Sequence, residues 1–189
     1  RRVLFRSDNF GVSVTDLDGD TSSGTLKVNI VDDVPTITLT EEAPRLLEVD
    51  ETNLNTPNTV DFSGAFNAVR GADNGVVTYG IGVSSPGADS GLVDIATGRK
   101  IYLYDEGDTV IGRVADPNNA ANPAGDIAFT VDVNAATGEV TLLQARALRH
   151  ADASNPDDAV SLDKTKSDLI TLTATVTDGD GDSASATLD

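Results

Sequence analysis

Two acidic phrases hold the residues of this chain best suited to chemistry. VTDLDGDTSSGTLK at 14–27 carries Asp16, Asp18 and Asp20, and VTDGDGDSASATLD at 176–189 carries Asp178, Asp180 and Asp182. Carboxylates crowded at alternate positions repel one another; at roughly 6 Å each pair costs about 0.7 kcal/mol even in water. A bound cation relieves that repulsion. Oxygen donors with neither His nor Cys beside them favour a hard ion, and adaptable coordination favours calcium over magnesium. Gly19 and Gly181 allow each loop to fold tightly. The plainer alternative is that Asp and Gly are favoured turn formers and the charge serves solubility.

Known calcium loops do not describe these phrases. An EF-hand loop beginning at Asp16 needs Gly at position 21 and Glu at 27, where Thr21 and Lys27 stand; one beginning at Asp178 needs Gly at 183, where Ser183 stands. The nonapeptide GGxGxDxUx is absent as well. What remains is an acidic hairpin loop between two strands.

The phrases recur at a constant offset of 162 residues, as from Val14 to Val176, from Asp16 to Asp178 and from Leu26 to Leu188. Recurrence at fixed distance is the mark of a tandem array. On this reading residues 8–31 are the last hairpin of a preceding repeat, 32–35 a linker, and 36–189 one nearly complete repeat domain lacking the end of its last strand. Asp32-Asp33-Val34-Pro35 is short and stiff, because Pro fixes φ and removes a donor, so no single strand runs through it. RRVLFRS at 1–7 places three basic residues in an otherwise acidic text and reads as a scar of cloning or sequence assembly, or else as an ordinary strand end.

Topology predicts where the acid loop lies. A last strand running from Ser183 for about eleven residues would span roughly 36 Å, the length of a domain. Its start then lies at the pole where the domain begins. The expectation is a calcium site at the domain junction, with Asp178, Asp180 and Asp182 near the linker residues Asp32 and Asp33.

The elements that must position these loops are strands. Thr, Val, Ile and Leu alternate with polar residues at 10–15, 24–31, 36–40, 76–83, 100–104, 109–114, 127–133, 139–143 and 169–176. So many short strands without a sustained helical period predict an all-β antiparallel β-sandwich, Ig-like or elaborated Ig-like. Residues 92–115 read as a meander and 127–143 as a hairpin. ATG at 96–98 and 136–138 predicts positive φ at Gly98 and Gly138. DPNNAANPAGD at 116–126 is an exposed loop. DFSGAF at 61–66 and RALRH at 146–150 are each long enough for one short helical turn. Glu48, Asp50 and Glu51 read as a solvated strand edge, or else as further ligands.

Composition narrows the function. The 189 residues carry 13 Lys and Arg against 31 Asp and Glu, a net charge of −18, which repels nucleic acid and anionic lipid surfaces and attracts cations. Cys is absent, so no disulfide or thiolate site staples the fold. No apolar run reaches membrane-spanning length, so direct membrane insertion is not expected. Catalysis finds little footing: His150 is the one His, expected to make a local hydrogen bond, and no pair of carboxylates stands out as a glycosidase pair. The chain is therefore expected not to be an enzyme. A carbohydrate-binding module is the rival reading, since Tyr102 and Tyr104 share one strand face; cross-strand packing accounts for the same pair.

Longer stretches carry a family resemblance. SGLVDIATGRKIYLY, RALRHADASNPDDAVSL, LITLTATVTDGDGDSASATLD and VDDVPTITL resemble the tandem repeats of type I secreted, RTX-type giant bacterial adhesins, and VDETNLNTPNTVDFSGAF is similar to the opening of that repeat. The resemblance covers residues 32–189 and the tail at 8–31, but not RRVLFRS. It implies an extracellular protein on the bacterial surface whose repeated sandwich domains, stiffened by calcium, project an adhesive region in cell adhesion and biofilm formation. Partners would be neighbouring repeats and calcium ions. The calcium ligands implied are Asp178, Asp180 and Asp182, their first-copy equivalents Asp16, Asp18 and Asp20, and less directly Asp32 and Asp33. Leu17 departs from the second copy, which has Gly179. Such extracellular sites hold calcium with dissociation constants of about 10⁻⁴–10⁻³ M, filling outside the cell and staying empty in the cytosol, where the chain would remain loosened until export.

Overall fold

The computed structural model describes residues 6–41, 46–72, 74–152, 154–155, 158–166 and 168–189, with backbone alone for 6–8. It is all-β, and its strands pair antiparallel throughout. The chain divides into two compact units, Arg1–Val34 and Pro35–Asp189. Of the reading of RRVLFRS, residues 1–5 lie outside the described part, and so do 153, 156 and 157 of the stretch after RALRH.

The first unit is a single hairpin, β1 (Arg6–Thr15) with β2 (Thr21–Ile30), in unbroken register from Arg6↔Ile30 to Thr15↔Thr21. Both strands alternate, as the sequence predicts. Phe10, Val12 and Val14 share one face with Leu26, Val28 and Ile30, while Asn9, Gly11 and Ser13 share the other with Thr25, Lys27 and Asn29.

The second unit is sandwich-like. Its larger sheet has the order β4 (Asn58–Asp61), β11 (Glu139–Gln144), β10 (Ile127–Val133), β9 (Thr109–Val114), β8 (Lys100–Asp105), β7 (Ala88–Val93). A three-stranded sheet, β13 (Ser183–Leu188), β12 (Ile170–Thr177), β6 (Val76–Val83), packs on it through β6, and a two-stranded ladder of β3 (Thr36–Leu39) and β5 (Phe66–Val69) lies by β12 and β13. The core between the layers takes every second residue of its strands: Ile101 and Leu103 from β8, Val131 and Val133 from β10, Leu172, Ala174 and Val176 from β12.

All nine strand runs read from the sequence are strands, and the meander and the hairpin form as expected. Gly98 and Gly138 adopt φ of 69° and 76°. DFSGAF holds the expected helical turn, a 3-10 turn at Ser63–Ala65. RALRH does not form one. It is extended and bridges Asp94 through Leu148, with Arg149 N–H donating to the Val93 carbonyl and Ile95 N–H to that of Ala147. Its helical pattern yields to the free edge at the end of β7, which offers backbone partners that a lone helical turn cannot match.

The stretch around Glu51 is also not a strand edge. Asp50 caps a 3-10 turn at Glu51–Asn53, its carboxylate accepting Thr52 N–H at 2.8 Å. Glu51 turns inward, accepting Leu148 N–H at 2.9 Å and the Gln144 side-chain amide at 2.5 Å.

Candidate metal centre

The acidic phrases fold into the same turn twice. Thr15↔Thr21 closes the β1–β2 ladder as Thr177↔Ser183 closes β12–β13, and every pair between carries over at the offset of 162 residues. Asp16 N–H donates to the Asp20 carbonyl at 3.0 Å, and Asp178 N–H to the Asp182 carbonyl at 3.0 Å. The first aspartate of each set then ties down the loop. Asp16 Oδ1 accepts Asp20 N–H at 2.9 Å, and Asp178 Oδ1 accepts those of Gly181 and Asp182 at 3.0 and 2.7 Å. Gly19 and Gly181 take φ of 98° and 102°, a region closed to side chains of L configuration. The plain turn-forming role of these aspartates is thus real, and it occupies one oxygen of the first carboxylate.

In the first unit Asp16, Asp18 and Asp20 each present a carboxylate oxygen, all three within 4.8 Å of one another. A hydrogen bond with the Asp18 carboxyl holds the Asp16 carboxyl below the usual range; desolvation opposes it, and backbone N–H groups of the turn reinforce it. In the second unit Asp180 and Asp182 also bring oxygens within 4.8 Å, but among the described residues Asp178 does not complete that group. Asp178 is 7% exposed, and its Oδ2 is buried without a hydrogen-bond partner. A buried carboxylate oxygen left bare is costly, and such groups are normally paired or bound to a cation. Asp32 and Asp33 follow β2 outside any strand, and both are exposed.

Fit to a hard divalent ion rests on that bare oxygen and on the donor set, which is carboxylate with neither His nor Cys. The residue that presses Asp178 inward escaped the sequence reading. A Cβ at Gly75 would come 2.7 Å from the Thr177 carbonyl oxygen and 3.1 Å from Asp178 Cα, so only glycine lets the loop before β6 lie on the turn. Asn74-Gly75, with Asn74 at φ of 66°, was the available signal, a turn pair ahead of an apolar run.

The other candidates sit in structural roles. Nδ1 of His150 meets the Asp158 carbonyl and Nε2 lies 3.4 Å from Glu51 Oε2, the local bonding expected of it. The Tyr102 hydroxyl donates to the Asn119 carbonyl at 2.9 Å, and Tyr102 pairs across the ladder with Arg113, as Tyr104 does with Ile111. Both rings are half-buried, which suits cross-strand packing better than a sugar platform.

A family model described as a domain of unknown function (DUF5801) matches residues 46–189, more than half of the chain. Neither the curated proteins nor the solved structures contain a match.

Proposed function

The chain belongs to the family described as a domain of unknown function (DUF5801), and we propose, from its resemblance to the tandem repeats of RTX-type adhesins and from its acidic turns, that it is a structural extender domain of a bacterial cell-surface adhesin that takes up calcium at those turns. The observation that carries the calcium part of this reading is Asp178 Oδ2, a buried carboxylate oxygen with no hydrogen-bond partner at the head of an acidic turn. A divalent cation at this turn offsets the repulsion of Asp180 and Asp182, and once the Asp178 side chain turns toward that pair it supplies the missing partner of Oδ2. The duplicated hairpin supports the tandem part of the reading, since two units sharing one closing element at fixed spacing are built as an array.

In this role the protein performs no catalytic step. Its work is mechanical: calcium fixes the turn, and the fixed turn limits bending of the chain beside it. Extracellular calcium fills such a site and cytosolic calcium leaves it empty. The partners are calcium and neighbouring repeats, and the location is the outside of the cell.

Titration calorimetry with calcium chloride on the full chain tests this. Binding in the range of about 10⁻⁴–10⁻³ M is expected, abolished at one site by Asp180→Asn with Asp182→Asn and at the other by Asp18→Asn with Asp20→Asn. Asp32→Asn and Asp33→Asn form a separate arm that reads whether linker carboxylates contribute. Unchanged heats in the paired Asp→Asn variants would sink the calcium reading.

A further inference from the structure

The β1–β2 hairpin presents an apolar face that its twin in the same chain keeps buried. Phe10, Val12 and Val14 are 55%, 58% and 66% exposed, and Leu26 is 60% exposed. At the offset of 162 residues these positions are Leu172, Ala174, Val176 and Leu188. Leu172, Ala174 and Val176 belong to the core at 7%, 0% and 0% exposure, and Leu188 packs against it. Exposed apolar faces of this kind mark interaction surfaces.

A second feature is missing from the first unit. β12 pairs on one side with β13 and on the other with β6, from Ile170↔Val83 to Thr177↔Val76. Among the described residues β1 pairs with β2 alone, so its other edge keeps a row of backbone donors and acceptors open. The hairpin therefore lacks both the layer that covers its face and the strand that lies along its edge.

We infer that the occupant is a second sandwich unit of the same design, one that ends before its own closing hairpin and takes β1–β2 as that hairpin. The twin hairpin fixes the fit in detail. The partner's equivalent of β6, VVTYGIGV, would run antiparallel to β1, with the position of Val76 opposite Thr15 and that of Ile81 opposite Phe10. A second copy of the chain as it stands does not serve, because its β6 edge is already taken by its own β12. The inference rests on the tandem-array reading above and does not depend on calcium.

The test places residues 35–171 directly ahead of residues 10–189, so that Phe10 follows as Leu172 does in the parent sequence. Two folded units are expected, with backbone amides of β1 exchanging about 100-fold more slowly, or slower still, than in the 189-residue protein. Phe10→Asp with Leu26→Asp should remove the unfolding transition of the added unit alone, leaving that of Pro35–Asp189 as internal control. An added segment that stays unfolded, or a double variant that leaves both transitions intact, overturns the inference. So does a dimer of the 189-residue protein with β1 already protected, which would make a second copy the occupant. The measurements are run in EDTA and in calcium: docking in both, with no calcium bound, supports this inference and removes the calcium reading.

Discussion

Arg146 grips Asp94 with two parallel contacts, Nε to Oδ1 at 2.9 Å and Nη2 to Oδ2 at 3.1 Å, and Asp94 is fully buried. Thr97 completes the carboxylate's shell, its N–H and hydroxyl donating to Oδ2 at 2.9 and 2.6 Å. The pair ties the ATG turn after β7 to the segment after β11, joining residues that local sequence gives no reason to connect.

Arg146→Ala leaves Asp94 charged, buried and half-partnered. A loss of about 3 kcal/mol is expected, the lower end for breaking a buried pair, because Arg146 keeps some contact with solvent. Arg146→Lys retains the charge without the planar fork and should fall between. Urea denaturation followed by circular dichroism reads both.

Acid should act through the same group. Burial pushes the Asp94 carboxyl up, but hydrogen bonds from Arg146 and Thr97 outweigh it and hold the carboxyl below the usual range. Asp89 behaves alike, with burial opposed by Lys100 and by the N–H of Gly91. A depressed folded-state pKa gives stability that is full above the unfolded value, about 3.9, and is lost as pH falls through the folded value. The melting temperature should therefore hold from pH 7 to about 5 and drop below about pH 4, with a shallower drop in Asp89→Asn.

Asp178→Asn keeps an acceptor for the N–H groups of Gly181 and Asp182 while removing the buried charge. In EDTA its melting temperature should stay near that of the parent. In millimolar calcium the parent should gain and the variant should not, because a ligand that binds only the folded state raises stability by mass action. Parallel thermal melts decide the matter, and an equal gain in both proteins would remove Asp178 from the ligand set.

Gly112 lies opposite Phe129 in the β9–β10 ladder, and a Cβ there would sit 2.3 Å from Phe129 Cε1. Gly112→Ala should cost about 1–3 kcal/mol by overpacking. Adding Phe129→Leu should recover part of that loss, a coupling that a double-mutant cycle in urea measures.

Much of this fold was legible because alternation survives wherever a strand has one face in the core, as in KIYLY, where Ile101 and Leu103 are buried between exposed or half-buried neighbours. The pattern fails in three places for separate reasons. NTVD of β4 offers a single apolar residue, Val60. FNAV of β5 is only four residues long. In ADSGLV of β7 a serine occupies a core position: Ser90 is fully buried, donating to the Ile101 carbonyl at 2.7 Å and accepting Leu92 N–H at 3.1 Å. RALRH and EVDET depart from their local patterns because Glu51 of the latter accepts the Leu148 N–H of the former and Asp94 holds Arg146, and no local pattern reports a partner so distant in sequence. The acid turns themselves were legible in spacing and duplication. The difference between Asp16 and Asp178 was not, since nearly the same local phrase is exposed in one unit and buried in the other by a loop that Gly75 admits.

The shared register of the two hairpins makes each a competitor for the other's place during folding. Domain swapping between repeats is a known hazard of multidomain chains, and it is worst when the exchanged elements are interchangeable. Here they are not quite so. Phe10 stands where the second hairpin has Leu172, Ser22 where it has Ala184, and Gly24 where it has Ala186. A core packed for leucine accepts phenylalanine at a cost of about 1–3 kcal/mol. Small differences in volume thus give each hairpin an address, and keep like from being mistaken for like.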